Sequence, residues 1–485
     1  MPRELIVIVK PEVGLKPGDQ GLVADSGADL QPLFDVLASK NASMEPVFDL
    51  SSSGGDNTQA VAPDEGDDEI DLGSVFTVNA DDADLDGLAD QLRQSALIQT
   101  AYVKPATEVP VMMSAAAADP AAPPAPPTAL PAATPDLSSR QGYLDVAPGG
   151  VDAFYAWTQT GGDGAGVNVI DLEGGWNLTH EDLQHDKGGL LFGAQIADPG
   201  FKNHGTAVLG EIAGDPNNVG VTGVSPNASV SVVSHSPKGT AKAIQFAADR
   251  LRPGDVLLLE AHRPGPRYAY ASRNDQAGYI AIEWWYDDYL AIRYAVKKGV
   301  IVVEAAGNGN ENLDDPIYDG NPGFPAAWKN PFNAGNRSSG AVVVGAGAAP
   351  TGTHGRAPNP DRSRMWFSNY GSRLDVQAWG EEVTTTGYGD LQGGAGTDEN
   401  RWYTDTFGGT SSASPIVTGV VASIQGVLRA RGATPLAPSA MRNLLRNNDN
   451  GTPQLDAPTR PATQRIGNRP DLRKLLTSIA GISAP

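Results

Sequence analysis

Between residues 167 and 378 six short runs are mostly apolar at both alternations: Val167–Leu172, Ser229–Val233, Asp255–Ala261, Val300–Ala306, Ala341–Gly347 and Leu374–Ala378. A strand with one wet face alternates apolar and polar residues. Runs apolar on both faces belong to a sheet covered on both sides, and the helical patterns between them supply the covers. This pattern demands an α/β fold around a mostly parallel sheet. Such sheets carry their chemistry at the carboxyl ends of the strands, so the residues closing these runs are the first functional candidates.

The chain ahead of this region reads differently. Leu5–Lys10, Met44–Leu50, Val75–Asn79 and Thr100–Lys104 are strand-like, whereas Leu30, Leu33, Phe34 and Leu37, and then Leu85, Leu88 and Leu92, recur at helical spacing. The order β-α-β-β-α-β predicts a small ferredoxin-like α+β sandwich over residues 1–110. Its stretch 51–73, with Asp64, Glu65, Asp67, Asp68 and Glu69, reads as a solvated acidic loop. Residues 111–140 are dominated by Ala and Pro and read as an extended, semi-rigid linker. Residues 141–485 then form the larger α/β domain.

Residues 1–120 hold 22 of the 57 acidic residues but only 6 of the 35 basic ones, so much of the net charge of −22 sits at the N-terminus. That balance argues against a nucleic-acid partner. There is no cysteine, which removes disulfides, thiolate nucleophiles and cysteine-held metals. The apolar run at the N-terminus is too short for a general secretory signal and has Glu4 beside it. No stretch reaches the roughly 20 apolar residues of a membrane span. The expectation is cytoplasmic synthesis, with export by a non-classical route left open.

Four segments carry chemistry. Val167–Asp171 ends a strand in a carboxylate, which alone reads as a cap or turn residue. Asn203-His204-Gly205-Thr206 opens a small-residue helical run, where an isolated histidine would be structural. Val302–Asn308 delivers an amide into a Gly-containing loop, otherwise a turn signal. Gly409–Pro415 sets Ser411 at the start of a long apolar helix, where an N-cap is the ordinary meaning. A helix N-terminus also stabilises developing negative charge. A poor hydroxyl nucleophile requires a base, the base an orienting acid, and the oxyanion a donor, so the four segments explain one another.

Together, in this order, they resemble the subtilisin-like serine proteases, the subtilases, over residues from about 141 onward. Asn217–Pro226, Phe324–Ala326, Phe367–Gly371 and Ile466–Leu472 resemble further stretches of the family, the middle two near its cleft and the last its C-terminal closure, after which no further domain is expected. The resemblance implies a three-layer subtilisin-like domain and a serine endopeptidase acting through an acyl-enzyme. It implies Asp171, His204 and Ser411 as the triad and Asn308 as oxyanion donor beside the Ser411 backbone N–H. Glu260, Ala261, His262, Ala306, Gly307 and Thr410 are the implied substrate contacts, paired with an extended peptide. The chemistry requires no cofactor; structural calcium is a further implication for which no ligand run stands out. The N-terminal sandwich resembles the family's propeptide, which implies an intramolecular inhibitor, and a separate inhibitor protein is another partner in keeping with the reading.

The chain also departs from the family pattern. Asp171 is followed by Leu172 and Glu173 where a small residue and Gly are usual. Glu173 is expected as a solvated or calcium-adjacent carboxylate, a second triad acid being the weaker reading. Asn203 replaces Gly before the histidine, and Glu260-Ala261-His262-Arg263 stands where Ser-Leu-Gly-Gly is frequent. The aromatic group Tyr279, Trp284, Trp285, Tyr286 and Tyr289 is expected to pack rather than to wall a specificity site. These departures leave a catalytically impaired peptide-binding protein as the alternative. An α/β-hydrolase esterase would need a G-x-S-x-G elbow and the order Ser, Asp, His, and neither occurs.

Overall fold

The computed structural model describes residues 3–19, 21–50, 71–109, 131–185, 187–394 and 396–481. Most of the acidic loop 51–73 and of the linker 111–140 therefore lies outside the described residues.

At the N-terminus β1 (Glu4–Val9), α1 (Gln31–Ala38), β2 (Ser43–Pro46), β3 (Val75–Asn79), α2 (Leu85–Arg93) and β4 (Ile98–Lys104) follow the expected order. The strands form an antiparallel sheet in the order β2-β3-β1-β4. Strand β1 is apolar at both parities because both faces are covered. Leu5, Val7 and Val9 pack on Leu33, Leu37, Leu88 and Leu92 of the two helices. Ile6 and Ile8 point the other way, into a cluster shared with the larger unit. A short hairpin, Leu15–Gly18 with Gly21–Ala24, went unread because its largely exposed, Pro- and Gly-containing strands carry no apolar period.

The larger unit continues with β5 (Asn168–Glu173), β6 (Lys187–Phe192), α3 (Pro199–Ala213), β7 (Ser229–Ser234), α4 (Thr240–Ala248), β8 (Val256–Leu259), β9 (His262–Pro264), β10 (Tyr279–Ala281), α5 (Tyr286–Lys297), β11 (Ile301–Ala305), β12 (Val342–Gly347), β13 (Val376–Trp379) and α6 (Thr410–Ala430). Seven strands pair in the order β13-β12-β11-β8-β5-β7-β6, each pairing parallel. All six runs read from the sequence are in this sheet. The seventh, β6, is an edge strand with Gly188 and Gly189 and exposed Leu190 and Leu191, so its pattern is weak.

Alternate residues of each strand separate two cores. Val169, Val256, Leu258 and Val303 pack on Val208 and Ile212 of α3 and on Val417, Val420 and Ile424 of α6. Ile170, Leu172, Leu257, Leu259 and Val302 pack on Ile244 of α4 and Ala291, Ile292 and Ala295 of α5. Helix α6 is long and apolar enough to cross a bilayer by length and composition, a feature the sequence reading did not register, but it is buried through the core.

The N-terminal sheet lies on the α4/α5 layer. Tyr102 of β4 inserts among Trp285 and Phe324, with ring centroids 6.3 and 4.8 Å away. Trp284 and Trp285 are fully buried there with Trp328, so these aromatics pack as expected. Phe324, expected near the cleft, belongs to the same cluster. Beside it the fully buried Lys104 ammonium pairs with Asp287, with Asp288 at 3.1 Å and with Glu4 at 3.5 Å, and Arg263 reaches Glu4 at 2.6 Å. Arg263 thus serves this contact rather than the cleft. Buried charges persist only when paired, and here two cations meet three carboxylates contributed by both units.

Candidate active site

Asp171 and Glu173 stand two residues apart on β5, so their side chains share the face that looks toward α3. His204 lies within α3, which begins five residues before the histidine rather than at it. Pro199 at the first turn and the Asp198 cap, whose Oδ1 accepts from the Gly200 N–H at 2.7 Å, set that earlier start. The His204 ring packs edge-on against Phe407 at 5.5 Å.

The acid that meets the histidine is Glu173. His204 Nδ1 lies 2.8 Å from Glu173 Oε2. Asp171 is occupied elsewhere, its Oδ2 accepting the Trp176 indole N–H at 2.7 Å. The expectation that Asp171 directly orients His204 is corrected: the Trp176 indole holds the Asp171 carboxyl, and Glu173, two residues further along β5, meets the imidazole. Glu173 is fully buried, which also corrects its reading as a solvated carboxylate. The two carboxyls are within reach of one another, and each has one oxygen without another partner. Burial raises both well above the usual carboxylate range, and the charge of Glu173 raises Asp171 further, which favours sharing of a proton between them. Burial lowers His204 to about 4, against a smaller opposing pull from Asp171, and leaves it a neutral base.

Ser411 occupies the first turn of α6. Its Oγ and His204 Nε2, both buried, make no aligned hydrogen bond. Catalytic hydrogen bonds are often loose before substrate arrives. Asn308, in the loop after β11, accepts at Oδ1 from both Thr410 N–H and Thr410 Oγ–H at 2.9 Å. Those two donors fix the carboxamide so that Nδ2 is its free end, with Gln276 Oε1 as nearest partner at 3.5 Å. Gly409 has φ +110°, and a Cβ there would lie 3.2 Å from Asn308 Nδ2, so both conformation and space call for glycine. Thr410 Oγ also accepts the Gly307 N–H at 3.2 Å, and Asn369 Nδ2 donates to the Ala306 carbonyl at 2.7 Å. Ala306, Gly307 and Thr410 thereby form one rigid frame around Asn308.

Glu260 and Ala261 are fully buried, and the Glu260 side chain turns inward to Ser414 instead of lining the cleft. The His262 backbone instead pairs with a stretch of the same chain. Its carbonyl accepts from Glu108 N–H at 3.2 Å, and its N–H donates to the Glu108 carbonyl at 3.5 Å. The next carbonyl, of Val109, accepts from Gln276 Nε2 at 2.9 Å. The chain's own Thr107–Val109 stretch therefore lies along this backbone toward Asn308. Gln276 was not singled out from the sequence; it sits in a turn at φ +53°, where no periodicity marks it. Past Asn308 opens a cavity of about 500 Å³ lined by Arg267, Glu311, Asp315, Trp366 and Tyr370 among others. Among the described residues no group of three or more acidic or histidine side chains is arranged to hold a metal ion.

The Subtilase family model matches residues 179–466, a stretch that contains His204, Glu260, Asn308 and Ser411 and begins just after the two acids of β5. The chain is 30% identical over 291 residues to alkaline elastase YaB of Bacillus sp. (strain YaB), covering 58% of this chain and 61% of that protein. It is 27% identical over 265 residues to subtilisin DY of Bacillus licheniformis, covering 54% of this chain and 77% of the relative. The chain thus spans about three fifths of the length of the first of these relatives. The crystal structure of fervidolysin from Fervidobacterium pennivorans superposes with a TM-score of 0.54 at 19% identity, over 98% of this chain and 61% of that one, a likeness of fold. With strand-end acids, a helix-borne histidine and a serine opening the central helix, and with more than half of its length matched by the family model, the chain belongs to the subtilase family.

Proposed function

We propose that this protein is a serine endopeptidase that hydrolyses peptide bonds in proteins through an acyl-enzyme on Ser411. The observation that carries the reading is the buried Glu173–His204 pair at 2.8 Å, on the same side of the sheet as a serine whose hydroxyl is uncommitted. His204 takes the Ser411 proton at Nε2 as the oxygen attacks the carbonyl, then gives it to the leaving amine. Glu173 holds the Nδ1–H tautomer and stabilises the imidazolium, and Asp171 acts through Glu173 as a second carboxyl behind it. Asn308 Nδ2 and the Ser411 N–H receive the oxyanion. Substrate pairs as an extended strand with the His262 edge.

The N-terminal unit restrains the enzyme by laying Thr107–Val109 on that edge, so substrate must displace it. A fluorophosphonate probe tests the activity: wild type, after any self-processing is complete, is labelled and Ser411→Ala is not. Equal absence of label from both would leave the alternative, a catalytically impaired peptide-binding subtilase. Separately produced residues 1–110 added to the processed enzyme should inhibit it, and failure to do so would reject the restraint.

A further inference from the structure

Ser414 lies one helical turn from Thr410 and three residues beyond the nucleophile. Its Oγ is 2.7 Å from the Thr410 carbonyl and also within hydrogen-bonding distance of Glu260 Oε1. A hydroxyl has one hydrogen, and a carbonyl can only accept. When Ser414 donates to Thr410, its oxygen needs a donor in turn, and a protonated Glu260 is the group placed to supply it. The second carboxyl oxygen, Oε2, has no aligned partner, and neither has Ser411 Oγ, although the two groups are neighbours.

The charged groups that act most on Glu260 are carboxyls. Asp171 and Glu173 face it from β5 and Glu211 from α3, while α6 contributes only the Ser411 and Ser414 hydroxyls. His262, two residues along, is held neutral by burial, its pKa pushed down to about 3. Among the described residues no lysine or arginine forms an ion pair with Glu260, whereas Glu283 and Asp375, also buried, each pair with arginine. A buried carboxyl without a cation keeps its proton.

Resting on the peptidase reading, we propose that Glu260 is a positioning residue for the nucleophile, its neutral carboxyl donating to Ser414 and accepting from Ser411, which it hands to His204 when substrate binds. Ionised, the same carboxyl would hold the Ser411 proton more tightly and set a negative charge beside the oxyanion. Activity must therefore fall as Glu260 loses its proton. Burial and the neighbouring carboxyls place that loss well above the ordinary carboxylate range.

The test compares pH profiles of the full chain, after self-processing is complete, for Ser411 labelling by a fluorophosphonate and for kcat and KM on a peptide substrate. Glu260→Gln keeps a donor and an acceptor but cannot ionise. The expected result is an alkaline fall in wild type that is absent in Glu260→Gln, so that the ratio of variant to wild-type kcat rises at least tenfold toward high pH while KM stays level. Glu260→Ala should be slow throughout, and its rescue by Gln separates positioning from filling of space. Ser414→Ala, which removes the acceptor for the Glu260 proton along with the hydrogen bond to the Thr410 carbonyl, should move the fall to lower pH. Superimposable wild-type and Gln profiles, a Gln variant as slow as Ala at every pH, or a Ser414→Ala shift upward would overturn the inference alone. Lack of any Ser411-dependent labelling at every pH would overturn the peptidase reading and this inference with it.

Discussion

Exchanging the two acids of β5 for their amides, one at a time, gives opposite expectations for Glu173 and Asp171. Glu173 Oε2 is the group at 2.8 Å from His204 Nδ1, in a site where both side chains are essentially without solvent. Glu173→Gln replaces a carboxyl whose Oε2 accepts from the ring by an amide that can turn its NH2 toward it. That favours the tautomer with hydrogen on Nε2, which cannot take the Ser411 proton. An acid-to-amide change at this place in a serine-protease triad costs about 10⁴ in kcat, or about 5.4 kcal/mol of barrier at 1.36 kcal/mol per decade. We expect a loss of ~10³–10⁴ for Glu173→Gln, with KM nearly unchanged because no substrate contact is removed. Asp171→Asn keeps an oxygen for the Trp176 indole and removes its proton sharing with Glu173 together with its small pull on His204. About tenfold is expected there, the size of a single modest hydrogen-bond change. Steady-state hydrolysis of a chromogenic peptide by the processed full-length protein, normalised by active-site titration, reads both. If Asp171→Asn loses three orders of magnitude or more while Glu173→Gln stays within tenfold, the 2.8 Å contact does not orient the base and the reasoning fails.

Asn308→Ala should lower kcat by ~10²–10³ with little change in KM, the range established for removal of this donor in subtilisin. Lys104→Ala leaves Asp287 and Asp288 without their buried cation and should destabilise the docked N-terminal unit by about 3–5 kcal/mol; a thermal unfolding transition unmoved by the change would contradict the paired reading. Stability should also fall between pH 6.5 and 8. Burial holds Asp171, Glu173, Glu211, Glu260 and Glu304 well above their unfolded range and Glu381 at about 7. These groups bind more protons folded than unfolded, so their contribution is full below about pH 4 and is lost as pH rises through the folded values. His180 and His204, pushed down to about 4, and His235 and His262, pushed to about 3, oppose this only below their unfolded pKa near 6.5. An unfolding temperature that climbs from pH 6.5 to 8 would refute the balance.

The central sheet was legible because its strands are buried on both faces, and that signature survives without any knowledge of partners. Strand β6 was not, since an exposed edge with adjacent glycines has no period to read. Helix α3 starts at a visible Asp-Pro pair, yet the apolar run that drew attention begins only at His204. His204, Asn308 and Ser411 stand out in sequence because each needs small neighbours and a defined strand or helix end. The choice between Asp171 and Glu173 could not be read, because the two lie on one face and differ by a single methylene. What decides it is Trp176, an indole N–H that captures the nearer carboxyl. Glu260 was assigned to the cleft from its place after β8, but a residue leaving a strand can turn either way, and the Ser414 hydroxyl draws this one inward.

The Thr107–Val109 stretch lies on the His262 edge while remaining part of the same covalent chain. Under the proposed restraint this stretch is a blocker carried by its own target, present at an effective concentration on the order of millimolar however far the protein is diluted. The two backbone hydrogen bonds and the one from Gln276 add to the Tyr102 and Lys104 contacts that dock the N-terminal unit. Latency should accordingly be independent of enzyme concentration as long as the chain is intact. Scission beyond Val109 would convert it into an ordinary bimolecular equilibrium, in which dilution below the affinity set by the docking contacts, with no change in any contact, becomes the activating signal.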